Sequence, residues 1–255
     1  MEKDQQIQYS LKAYLATEQK GVPRKEYDFS IFWKLKYTEN KVLHHKKTNF
    51  PLKVLELEFV KIDFSTNDKT LGKSIDFLHR TFYRYDGLKL SITPNGMTIE
   101  NKELLLNQWQ QIRSSLQADY KGFFAEDYLA QLDGRMSHCP PTDNYFYLGL
   151  LFLEVSESLG VKQSRNRQIM LSDFDDICFT ERLTCEHKGS GQVYFSITGE
   201  FTNQHDCLLN KFYGRTQIRE ECILPEWVQL EVDYVKEDIN IYWKYELTRQ
   251  EENSL

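Results

Sequence analysis

Leu55, Leu57 and Phe59 alternate with Glu56 and Glu58, and this period of two is the clearest pattern in the chain. Successive side chains of a strand point to opposite faces, so the pattern predicts a strand with one buried and one wet face, as in antiparallel sheets. It extends over residues 52–64. Looser alternation and aromatic or β-branched content predict further strands at 7–17, 28–37, 88–93, 177–187, 192–202, 227–235 and 239–247. The last two are so close, with only residues 236–238 between them, that a hairpin is expected. Turns are expected at 21–25, at Pro94-Asn95-Gly96 and at 188–191.

Between the strands the period lengthens. Leu71, Ile75, Leu78 and Phe82 fall at helical spacing and predict a helix over 68–83, with Asn67 where an N-cap belongs. Leu105, Trp109, Ile112 and Leu116 form the stripe of a second helix starting near Asn101. Phe124, Tyr128 and Leu132 predict a third, shorter helix ended by Gly134. Residues 145–155 are almost continuously apolar, which suits either a strand buried on both faces or a buried helix. Residues 39–49 and 160–167 are polar and basic and read as loops; a polar tail begins near Arg249.

The predicted fold is therefore α+β: two antiparallel sheets with about three helices concentrated in the middle third. Pro140-Pro141, within a loop at 137–144, is the best candidate boundary. It separates an N-terminal sheet with helices (1–136) from a mostly sheet segment (145–255), which could still pack as one domain. Two similar halves are also considered. Residues 55–61 (LELEFVK) resemble 230–236 (LEVDYVK), and 28–34 (DFSIFWK) resemble 238–244 (DINIYWK). Ser91-Ile92-Thr93 likewise resembles Ser196-Ile197-Thr198. The first two pairs occur in opposite order, so no simple tandem copy contains both.

Composition narrows the function classes. Of 255 residues, 40% are apolar and 14% aromatic, enough for a large core. The net charge of -6 lacks the basic excess expected of a nucleic-acid binder. No apolar run approaches the roughly 20 residues that span a bilayer, and the first ten residues do not read as an export signal, so a cytoplasmic location is expected. Five cysteines at irregular spacing do not form a disulfide framework.

Candidate chemistry is sparse. Cys185, His187, His205 and Cys207 are zinc-type ligands, but the turn near Gly189 should send the two pairs to distant ends of the sheet. His138-Cys139 could offer a thiolate beside a base, although adjacent loop residues seldom face each other productively. Asp173, Asp175 and Asp176 could hold a hard cation, yet lack the glycine and closing glutamate of a calcium loop. The carboxylate pairs Glu56/Glu58 and Glu231/Asp233 are expected on wet strand faces. Two basic loops, His44-His45-Lys46-Lys47 and Lys162/Arg165/Arg167, could touch acidic partners.

No cofactor motif is present, and no catalytic or metal-binding residues are assigned. The aromatics Phe32, Trp33, Tyr242, Trp243 and Tyr245 show little alternation, so some of them are expected to face outwards as a contact patch. The leading expectation is a non-catalytic interaction protein that binds a protein partner through an aromatic sheet face or edge: an adaptor, an assembly subunit or a toxin-neutralising partner. The alternative is a binder of an apolar small molecule or lipid in the groove of a curved sheet. An enzyme with a dispersed site comes third.

Overall fold

The computed structural model describes residues 3–45, 48–72, 74–93, 96–138, 141–153, 165–173, 177–202, 206–219 and 224–250. Its N-terminal strands are β1 (Lys3–Gln19), β2 (Val22–His45), β3 (Thr48–Thr66), β4 (Lys89–Thr93) and β5 (Gly96–Ile99). The C-terminal strands are β6 (Arg165–Met170), β7 (Cys178–Gly189), β8 (Gln192–Phe201), β9 (Cys207–Arg219), β10 (Pro225–Lys236) and β11 (Ile239–Gln250). Among the described residues there are three α-helices: α1 (Ser74–Phe82) between β3 and β4, and α2 (Lys102–Asp119) and α3 (Phe123–His138) between β5 and β6.

All eleven strands form one antiparallel sheet in the order β5-β4-β3-β2-β1-β11-β10-β9-β8-β7-β6. The expectation of two sheets is corrected by one ladder: β1 pairs with β11 from Gln8↔Gln250 to Gln19↔Ile239. The two meanders would otherwise each end in a long edge of unpaired backbone groups, and pairing those edges satisfies both. The molecule is thus mostly β, with helices added. The similar segments of β2 and β11 flank β1 on either side, and those of β3 and β10 lie one strand further out. In each pair the matching positions face the core: Trp33 and Trp243, Leu55 and Leu230, Phe59 and Tyr234.

One face of the sheet is apolar. It carries Tyr9, Leu11 and Ala13 of β1, Phe29, Ile31 and Trp33 of β2, Val228, Leu230 and Val232 of β10, and Trp243 and Tyr245 of β11. The opposite face is polar, with ion pairs such as Lys89–Glu56 at 3.2 Å and Lys244–Glu246 at 2.7 Å. Register shifts interrupt several ladders and change the phase of the alternation. In β3 the register against β2 skips Val60, leaving it exposed while Phe59 and Ile62 stay buried. In β9 the register against β10 skips Asn210.

The helices follow their stripes with shifted ends. Leu105, Trp109 and Leu116 of α2 are buried as expected. The first helix starts at Ser74, not 68, because Asn67 is occupied elsewhere. Its Oδ1 accepts from Glu26 N at 2.9 Å and its Nδ2 donates to Arg24 O at 3.2 Å, fastening the end of β3 to β2. The third helix runs through Gly134 to His138, so that glycine does not end it. Residues 39–45 and 48–49, expected as loop, extend the β2–β3 ladder.

Residues 145–153 are neither strand nor helix but a buried series of turns. The backbone polar groups of such a segment must find partners without a ladder. Asn144 supplies several: its carbonyl accepts from Tyr147 N at 3.1 Å and Gly149 N at 2.8 Å, and its side chain accepts from Phe146 N at 2.9 Å. Arg167 supplies others, donating to Gly149 O at 2.6 Å, Phe152 O at 2.8 Å and Thr142 O at 3.2 Å. Gly149 is required by the close approach, since a Cβ there would lie 2.7 Å from the Asn144 carbonyl carbon.

Candidate functional site

The sheet and its helical cover leave a cavity of about 270 Å³ towards the hairpin end of β1 and β2. Its sheet side is formed by Leu15 of β1, Tyr27 and Phe29 of β2 and Phe64 of β3, which alternation turns towards the helices. Phe29 and Phe64 have ring centroids 4.6 Å apart, and Tyr27 stacks on Phe64 at 6.4 Å. The helical side is formed by Phe77 and Leu78 of α1, then Tyr120 after α2, then Phe124, Ala125 and Tyr128 of α3. Phe77 meets Tyr120 edge-on at 5.1 Å and Tyr128 at 5.8 Å. Phe124 is 79% exposed, so the cavity reaches the surface beside it.

Thr17 and Ser74 add hydroxyls to this wall, and two of its tyrosines are tied off by carboxylates. Tyr27 donates to Asp68 Oδ2 at 3.2 Å, and Tyr120 donates to Asp76 Oδ2 at 2.8 Å. Loss of water pushes the Tyr27 hydroxyl up to about 12, with the Asp68 charge adding to it, so it stays neutral at ordinary pH. Burial likewise raises Tyr128 and Tyr120. The Asp68 carboxyl lies well below the usual carboxylate range. Its largest cause is the hydroxyl of Thr70, at 2.6 Å, followed by the Lys25 ammonium at 2.9 Å. The cavity therefore offers apolar contact, with no titrating group, at neutral pH.

A second cluster lies buried under the sheet. Arg84 donates to Asp173 at 2.6 Å and to the Tyr147 hydroxyl, which itself donates to Asp173 at 2.6 Å. Arg135 and Asn144 each reach the other carboxylate oxygen at 3.2 Å. Burial pushes the Asp173 carboxyl up, but the Arg84 and Arg135 charges overcome it and hold it below its usual value. A carboxylate so fully engaged has no lone pair directed at a ligand. Its neighbour cluster joins Arg167 to Glu181 at 2.7 Å, with the Tyr145 hydroxyl also donating to Glu181.

Of the five aromatics expected as a contact patch, Trp33, Trp243 and Tyr245 are buried in the core and offer no surface to a partner. Trp243 stacks on Tyr245 at 5.4 Å. Phe32 and Tyr242 lie on the opposite, polar face, half-buried. Alternation is intact in both strands; an aromatic on the outer face beside one on the inner face hides it.

The other candidates are dispersed. Cys185 aligns through β8 with Thr216 of β9, nine residues from Cys207 and so about 30 Å away at the rise of a strand. His205, Cys139, Asp175, Asp176, Lys46, Lys47 and Lys162 lie outside the described residues. Among the described residues no three His, Cys, Asp or Glu side chains gather as metal ligands. Glu231 pairs with Lys211 and Asp233 accepts from Asn210 at 3.2 Å on the polar face, while Glu58 is exposed there. Arg167, read from sequence as part of an exposed basic loop, is nearly buried and spent on backbone carbonyls.

No protein-family model matches the chain, and no curated protein matches it. Among solved structures it is similar to lipovitellin, from a study titled for its lipid–protein interactions, with 9% identity and a TM-score of 0.46. That match covers 96% of this chain and 25% of lipovitellin. A putative AttH from Nitrosomonas europaea matches at 7% identity and a TM-score of 0.15, covering 98% of this chain and 53% of its own. Among the described residues no helix is long and apolar enough to cross a membrane.

Proposed function

We propose that this protein binds an apolar small molecule or a single lipid chain in the cavity between β1–β3 and the helices. The observation that carries this reading is the wall itself. Leu15, Phe29, Phe64, Phe77 and Leu78 meet around unfilled space, where a protein interior is normally close-packed. A wall this largely apolar favours apolar guests, because water finds few partners along it. Each buried methylene of a guest gains about 0.8 kcal/mol, so a chain of moderate length could be held without a charged anchor. The role fits a carrier, buffer or sensor of such a molecule. The proposal is of binding alone.

The test is displacement of an uncharged fluorescent naphthylamine probe by fatty acids and alcohols of increasing length. Saturable one-to-one binding is expected, tightening by about fourfold per added methylene until the cavity is filled. Ala125 lines the wall, and Ala125→Phe should abolish binding while the protein stays folded. A probe that binds no better to the wild type than to Ala125→Phe would refute the proposal.

A further inference from the structure

Phe123 and Phe124 open α3 at the corner after α2, and they are 86% and 79% exposed. Large aromatic side chains side by side in water are unfavourable, and such a pair marks a contact. Phe124 is also part of the cavity wall, so the exposed pair and the interior form one unbroken apolar path. From this we infer that the Phe123–Phe124 corner docks on a lipid surface and is the portal through which the cavity exchanges its guest. The inference rests on the reading of the cavity as an apolar binding site.

The area selects the occupant. A phenylalanine can bury roughly 150–250 Å², so the two rings offer about 300–500 Å². A stable protein interface needs about 800 Å² from each partner. Two rings suffice, however, to enter the headgroup boundary of a bilayer, where aromatic side chains are at home. A guest leaving the bilayer there would pass from lipid to protein without crossing water. The neighbouring charges are mixed, with exposed Lys121 before the pair and exposed Glu126 and Asp127 after it. Docking should therefore not depend on anionic lipid and should survive moderate salt.

The experiment is flotation of the full chain with phosphatidylcholine vesicles, run beside probe titration from solution. Phe123 lies outside the cavity wall, so Phe123→Ser should reduce the vesicle-bound fraction about tenfold and leave the probe affinity unchanged. The double variant Phe123→Ser/Phe124→Ser should lower it further, with an unchanged circular dichroism spectrum. Wild-type protein that binds the probe but does not float overturns the portal and leaves the proposed function standing. Equal flotation of wild type and Phe123→Ser overturns it too. A self-association in sedimentation velocity that Phe123→Ser abolishes would overturn it in favour of a second copy of the chain. Flotation without any probe binding would remove the proposed function, and the portal with it.

Discussion

Arg84 and Asp173 meet at 2.6 Å, both buried, although 89 residues separate them in the chain. Arg84 follows α1 directly, and Asp173 follows β6 at the far edge of the sheet. Their pair ties the helical cover to the C-terminal meander. Removing Asp173 strands the Arg84 charge in the core, and removing Arg84 leaves Arg135 to balance the Asp173 carboxylate, at a cost of up to about 3–5 kcal/mol. Arg84→Met is therefore expected to lower the urea midpoint strongly. Arg84→Met/Asp173→Asn should be less destabilised than the two single variants summed, which a double-mutant cycle reads directly.

Two glycines on the inner face predict a second outcome. A Cβ on Gly214 would lie 2.5 Å from the Gln229 carbonyl oxygen, and one on Gly199 would lie 2.8 Å from the Phe212 ring. The first neighbour is backbone and cannot move aside. Gly214→Ala should cost about 1–3 kcal/mol and lower Tm. Gly199→Ala should cost less, because a side chain can give way.

Asp68 and Tyr27 set opposite pH limits on the cavity wall. The Asp68 carboxyl is lowered, so its contribution is complete above about pH 4, where the unfolded chain titrates, and fades as pH falls further. Tyr27 is raised, so its contribution is complete below about pH 10 and is lost as pH climbs towards 12. Asp68→Asn should flatten the acid limb of a stability–pH profile and Tyr27→Phe the alkaline limb. Probe affinity should be level between these limits, and a midpoint near neutrality would contradict this.

The wall itself can be tuned. Phe64→Ala removes one ring of the stacked group, enlarging the cavity at a cost of about 3–5 kcal/mol. Bulkier guests should then bind relatively better than slender ones, measured by competition against the same probe.

Much of this architecture is legible in the chain, and the exceptions have physical reasons. The period of two in Leu55, Leu57 and Phe59 and the helical spacing of Leu105, Trp109 and Leu116 place both elements correctly. Strand β9 is not separately legible because its inner positions are Phe212, Gly214, Thr216 and Ile218, and glycine and threonine carry no hydrophobic signal. The single sheet is hidden because the β1–β11 ladder joins the two ends of the sequence, and no local pattern encodes a partner that distant. The cavity is hidden for a related reason. Leu15, Phe64 and Tyr128 are each ordinary core residues; only their spacing in three dimensions leaves room between them. The exposed Phe123 beside Phe124 was the one local sign. Phe124 also fits the helical stripe with Tyr128 and Leu132, which hides it.

The seam between β1 and β11 also orders events in time. Every other ladder joins strands that are consecutive in sequence, β3 and β4 across α1 and the rest across shorter connections, so each can form as soon as both strands exist. The central ladder must wait for the last strand of the sheet to be made, and until then β1 carries an open edge at the middle of what will become the core. That step closes the longest loop in the molecule and should be the slow phase of refolding. It also marks the interval in which the chain is most exposed to pairing with a second copy of itself.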